Sequence, residues 1–100
     1  MRLALLCAAA LAAAPALAGD LVARQGGDSV HLAEAPCTST QVLVRLEPSQ
    51  HSQYKAATAV VQGHTFSACW RMMGNVAHLL YEDGDQGIVP LANLKPELTA

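Results

Sequence analysis

Large rings are scarce in this chain of 100 residues. One Trp, one Phe and two Tyr make up 4% of it, although 52% of its residues are hydrophobic. So few aromatics leave little wall for a deep substrate cleft, which argues against an enzyme. Charge is sparse too, at 14%, and no two of the six Lys and Arg residues lie close together. Nucleic-acid binding needs clustered cations to displace counterions, so that class of partner is set aside. Cys-x-x-Cys, His-x-x-x-His and Gly-x-Ser-x-Gly spacings are all missing. Their absence removes the usual zinc, redox and hydrolase signatures and leaves no cofactor implied. The length excludes a multidomain protein and a repeat array.

The hydrophobic excess is concentrated at one end. Residues 1–18 are apolar apart from Arg2 and Pro15, and without them the remaining 82 residues are about 44% hydrophobic, an ordinary level for a globular domain. Met1-Arg2 forms a short positive start, Leu3 to Ala14 an apolar stretch too short to span a bilayer comfortably, and Ala16-Leu17-Ala18 a small-x-small cleavage site. These features predict a secretory signal removed after residue 18, with the protein delivered to the periplasm or secreted. Leu6 precedes Cys7 where a lipid-attachment site needs a small residue. No membrane span is expected in residues 19–100, which carry five basic and eight acidic residues, a net charge of −3.

Cleavage leaves two cysteines, Cys37 and Cys69, in a compartment where disulfides persist. A domain of about 80 residues buries a modest core, and closing a loop of about 33 residues contributes roughly 3.5 to 4 kcal/mol in the chain-entropy description. A disulfide is therefore expected. A zinc site recruiting His31 or His64 is the competing use of the same thiols.

Asp20 to Arg24 and Ser29 to Ala33 read as a hairpin around Gln25-Gly26-Gly27-Asp28. Thr38-Ser39-Thr40 offers N-caps for a short helix over about 38–46, which Pro48 ends. The polar stretch Ser49 to Gln53 reads as a loop or a further helical turn, with a solvated His51. From Tyr54 onward, turns at Gln62-Gly63, Gly74-Asn75 and Asp83-Gly84 divide a meander of strands. Alternation places Phe66, Ala68, Trp70 and Met72 on one face and Ser67, Cys69 and Arg71 on the other. The expected fold class is α+β: a single domain over residues 19–100 with about five or six antiparallel strands and one short helix after Cys37, tied to the sheet by the disulfide.

Five residues stand out as candidate partner-binding positions: Trp70, His64, Glu82, Asp83 and Asp85. The acidic stretch has part of a calcium-loop pattern, but an Asp-Gly turn explains the same residues. His64 and His78 would come together if their strands paired, which would suit a metal. Tyr54, Phe66, Trp70 and Tyr81 read as core anchors or, alternatively, as a ligand groove.

The run Tyr81-Glu-Asp-Gly-Asp-Gln-Gly-Ile-Val-Pro-Leu-Ala-Asn-Leu-Lys-Pro96 resembles the end of SH3-like domains, with an acidic turn before a Gly-hydrophobic-x-Pro strand. That resemblance implies an SH3-like barrel; Ile88 stands where many of those domains carry tryptophan. The opening Asp20-Leu-Val-Ala-Arg-Gln-Gly-Gly-Asp-Ser-Val30, the central Ala68-Cys-Trp70 and the tail Leu79-Leu-Tyr-Glu-Asp-Gly-Asp-Gln-Gly87 resemble a group of small, uncharacterised, exported proteobacterial proteins. This second likeness implies export and a shared architecture, with no catalytic residues. The expected function is that of a non-enzymatic module that binds a protein or cell-envelope component. Alternatives are an inhibitor of an envelope-directed enzyme such as lysozyme, and a small hydrolase or metal-binding protein. Intact-mass measurement of the exported protein is expected to give residues 19–100 less two hydrogens. Two free thiols would contradict the disulfide and revive the metal reading.

Overall fold

A computed structural model of the protein describes residues 19–97. The expected signal, residues 1–18, lies outside the described residues. Seven strands run in chain order: β1 Leu21–Gln25, β2 Asp28–Pro36, β3 Lys55–Val61, β4 His64–Met73, β5 Val76–Tyr81, β6 Gln86–Pro90 and β7 Lys95–Pro96. They form one antiparallel sheet in the order β6-β5-β4-β3-β2-β1-β7. The fold is thus largely β rather than α+β, with one more strand than the upper expectation. The extra strand is β7, whose two residues pair with Leu21 and Val22 and are too short to show an alternating pattern.

The sheet has to curl. Laid flat, seven strands about 4.8 Å apart would separate the edges by roughly 29 Å. The chain passes from Pro90 at the end of β6 to Lys95 at the start of β7 in five steps, at most about 18 Å. A 3-10 turn over Leu91–Asn93 shortens the span further. The result is a curled half-barrel with β6 and β7 as its unjoined edges.

Tight turns set the register. Gln62 (φ 51°) and Gly63 (φ 81°) form a two-residue loop with both central residues left-handed, which places Val61 opposite His64. Gly74 (φ 65°) similarly starts the turn that pairs Met73 with Val76.

Two cores lie on opposite faces of β4. Inside the curl, Leu32, Ala57, Ala68, Trp70, Ala77 and Leu79 are buried, with Leu21, Val30, Tyr81, Val89 and Leu94 packed against them. Outside it, Cys37, Val42, Tyr54 and Cys69 form a second cluster with Leu43, Leu46 and Leu80. Alternation through β4 follows the expected faces, but Phe66 and Met72 lie beyond the covered centre and are 38% and 39% exposed.

Cys37 and Cys69 stand at disulfide-bonding distance, with Cα atoms 5.5 Å apart. This pair fastens the connecting segment to the outer face, as the sequence predicts. The segment holds less α-helix than expected: helix α1 covers Thr40–Leu43 alone. Beyond it, Arg45 N–H to Val42 O and Leu46 N–H to Leu43 O, both 3.0 Å, continue as tighter i→i+3 turns. Val42 and Val44 are β-branched, and so short a helix has no cooperative reserve. Glu47, forced extended by the following proline, ends the run before a 3-10 helix over Pro48–Gln53. His51 is not a solvated loop residue: its Nε2 lies 2.7 Å from Leu43 O, which also accepts from Leu46 N–H, and 3.3 Å from Leu46 O, so it ties the 3-10 helix to the end of the preceding turn.

The two ends of the described chain are held together by side chains of β2 and its neighbours. His31 Nε2 lies 2.9 Å from Asp20 Oδ2, and its Nδ1 2.8 Å from Glu97 Oε1. Glu97 N–H also donates to Asp20 O at 2.9 Å. The bond from His31, with a second from Glu34 N–H, holds the Asp20 carboxyl below the usual carboxylate range. A lowered acid contributes stability above its unfolded value and loses it as pH falls through the folded one.

Replacing Cys37 and Cys69 together by alanine is expected to lower stability by about 3 to 4 kcal/mol in urea unfolding. An unchanged midpoint would show that the outer cluster holds the segment without the covalent link.

Candidate functional site

Where β3 and β4 run past the inner core, their apolar face opens to solvent. Ala59 pairs with Phe66 and Val61 with His64, so these four side chains share the inner face near the β3–β4 turn. Val61 and Phe66 are each 38% exposed. Tyr81, the partner of Ala68 across the β4–β5 ladder, closes one side of the opening. Asp83, Asp85 and Gln86 line the other, giving a cleft of about 300 Å³ with an apolar floor and an acidic rim.

The acidic rim is a turn made rigid by its own bonds. Tyr81 N–H donates to Asp85 O (2.8 Å), Gly84 N–H to Tyr81 O (3.0 Å) and Asp85 N–H to Asp83 Oδ1 (2.9 Å). Gly84 takes φ +99°, a conformation that disfavours a β-carbon. This is the turn chemistry expected of Asp-Gly, and one Asp83 oxygen is already engaged by it. Among the described residues no group of three or more His, Cys, Asp or Glu converges as a metal site. Neither Asp83 nor Asp85 joins an ion pair among those residues.

Tyr81 connects floor and rim. Its ring lies against Gly87, where an added β-carbon would come within 3.2 Å of Cε2. Burial raises the Tyr81 phenol above its ordinary value, and the nearby Asp83 charge adds to the rise.

The five candidate binding residues divide three ways. Asp83 and Asp85 line the cleft, and His64 is exposed on the adjoining hairpin. Glu82 turns to the opposite face, where its Oε2 accepts from Ser39 Oγ at 2.7 Å. Arg45 donates there to the carbonyl oxygens of Tyr81 and Glu82, so this corner docks helix α1 onto the sheet. Trp70 is 5% exposed and its Nε1–H donates to Ala33 O at 3.0 Å, which makes it a core anchor out of a partner's reach. His64 and His78 do not meet: His78 pairs with Arg71, seven residues along β4 from His64 and thus about 23 Å away. His78 Nε2 instead contacts Gln86 Oε1 at 2.8 Å.

Val61 was not marked out by sequence reasoning, and Phe66 only as one of four aromatics that could line a groove. The available signal is their nearness to the Gln62-Gly63 turn, since apolar residues at a hairpin tip outrun the core that would cover them. Comparison with family models, with curated proteins and with solved structures gives no match to this chain.

Spectrophotometric titration of the Asp83→Asn variant is expected to bring the Tyr81 phenol part of the way back toward its ordinary value. Burial should keep it raised. A titration identical to that of the unaltered protein would remove Asp83 from the neighbourhood of the ring.

Proposed function

We propose that this protein is an exported, non-enzymatic module that binds a protein or cell-envelope component through the cleft of Val61, Phe66 and Tyr81. Asp83 and Asp85 set its preference for a cationic partner. The observation that carries this reading is the joining of exposed apolar surface to two carboxylates that form no ion pair among the described residues. Apolar area supplies the driving force of association, at about 25 cal/mol per Å² removed from water, while rim charges steer the encounter and select its sign. A net charge of −3 over residues 19–100 acts in the same direction at longer range. The export signal and the disulfide pair support a periplasmic or secreted site of action. Among the described residues no helix is long and apolar enough to cross a membrane.

The inhibitor reading has one specific observation in its favour. Two exposed turns, Gln62-Gly63 and Asp83-Gly84, adjoin the cleft residues Val61 and Tyr81, and exposed turns are the elements with which an inhibitor would enter an enzyme's active site. The SH3-like resemblance is supported by the route from β6 through a 3-10 turn to a strand that pairs with β1.

Capture from a periplasmic extract on the immobilised protein tests the reading. Retention of a cationic protein should be lost in 0.5 M salt (about five-fold above a typical buffer, enough to screen rim charges). It should fall about ten-fold in the Asp83→Asn/Asp85→Asn double variant and in Phe66→Ala. Equal retention by all three proteins would contradict the cleft as the binding site. Slowing of lysozyme in a turbidity assay, abolished by the same changes, would select the inhibitor function.

A further inference from the structure

We propose that the free edge of β6 is a strand-addition site, taking an extended polypeptide segment that is apolar at alternate positions and basic at its C-terminal end. This inference rests on the binding function proposed above and assigns its mode of recognition.

The backbone carries the case. Tyr81 N–H to Asp85 O and Leu91 N–H to Asn75 O, both 2.8 Å, fix the alternation of the β5–β6 ladder at its two ends. Between them the register pairs Leu79 with Gly87 and Ala77 with Val89, so Gly87 and Val89 turn their N–H and C=O groups toward β5. Gln86, Ile88 and Pro90 must turn theirs the other way, where no strand lies among the described residues. The edge therefore offers two donors and two acceptors, from Gln86 and Ile88, while Pro90 O is taken up as the N-cap of the 3-10 turn over Leu91–Asn93.

Edges of this kind are commonly blocked by charged side chains or by bulges. β6 reads Gln-Gly-Ile-Val-Pro, with no charge, and Pro90 blocks only its far end. Ile88 is 64% exposed, a large apolar side chain beside unpaired backbone. Next to the edge runs a slot of about 510 Å³, with Ile88, Val89 and Pro90 on one side and Ala23, Val30 and Val61 on the other. Backbone pairing supplies affinity in such additions, and side-chain pockets supply choice.

Charge fixes the occupant's polarity. Asp83 and Asp85 precede the start of β6, while the slot beside Ile88 to Pro90 is lined by Arg24 and Lys95 against one carboxylate, Asp28, and so carries a net positive charge. A segment added antiparallel, as every pair in this sheet is, brings its C-terminal residues to Asp83 and Asp85. A basic residue is favoured there and opposed at the segment's N-terminal end.

The probe is the peptide acetyl-Thr-Val-Thr-Val-Thr-Arg-Arg-amide, titrated into the protein with its backbone amides followed by NMR. Protection of the Gln86 and Ile88 amides is expected, together with loss of at least ten-fold in affinity for one of two peptides N-methylated at alternate residues of opposite parity. Equal behaviour of the two methylated peptides would overturn one-sided pairing. Ile88→Pro removes an N–H that β5 does not use, so its melting temperature should change little while peptide affinity falls at least ten-fold. If Asp83→Asn/Asp85→Asn abolishes binding but Ile88→Pro and methylation do not, strand addition fails and the cleft reading stands. If none of these changes matters, both fail. Gel filtration showing a dimer that Ile88→Pro converts to monomer would assign the edge to a second copy of the chain and overturn the proposal.

Discussion

Ala68, Cys69 and Trp70 are consecutive in β4 and all are buried, which a strand allows only when both faces of its sheet are covered. Trp70 and Ala68 point into the curl, and Cys69 points to the layer formed by the segment after Cys37. With so few large side chains, neither layer is thick. The outer one consists mainly of Val42, Tyr54 and the paired cysteines, fixed at its margins by Arg45, Ser39 and His51. Remove the Cys37–Cys69 link and a four-residue helix would have to hold its place on side-chain contacts alone. That requirement makes the double-sided burial of β4 the constraint on which the rest depends.

The exposed apolar cleft proposed as the binding surface follows from where that coverage stops. The inner core is centred on Trp70 and Leu79, and Ala59, Val61 and Phe66 extend the same apolar face beyond it. A longer β2 or a closed barrel would cover Val61 and Phe66, which stand exposed. Instead the sheet curls far enough for a short link to join β6 to β7, yet the two strands do not pair. One architectural fact, an unclosed curl, thereby leaves both an apolar mouth and a free strand edge, with Asp83 and Asp85 between them.

Much of this was legible in the sequence, and the divisions have physical causes. Period-two alternation through Thr65 to Met72 identifies the faces because it depends on backbone geometry alone. The hairpin turns are legible because Gly26, Gly63, Gly74 and Gly84 supply left-handed conformations that other residues avoid. The pairing of Cys37 with Cys69 is legible because these are the two cysteines after residue 18. The length of α1 was not legible, because Val42 and Val44 suit a strand as well as a helix and tertiary contacts decide the outcome. Burial of Trp70 is legible in that alternation, but its hydrogen bond and the engagement of Glu82 were not. Each depends on a partner more than 35 residues away, Ala33 for the indole and Ser39 for the carboxylate. The free edge of β6 needs the complete strand order before it can be seen.

Hydrogen exchange followed residue by residue measures covered and uncovered backbone in one experiment. With β4 as the two-sided centre and β6 as an open edge, the amides of Ala68, Cys69 and Trp70 should exchange only through global unfolding. Those of Gln86 and Ile88 should exchange near the rate of an unstructured chain. Fast exchange at Cys69, or strong protection of Gln86 and Ile88 in the isolated monomer, would contradict the account.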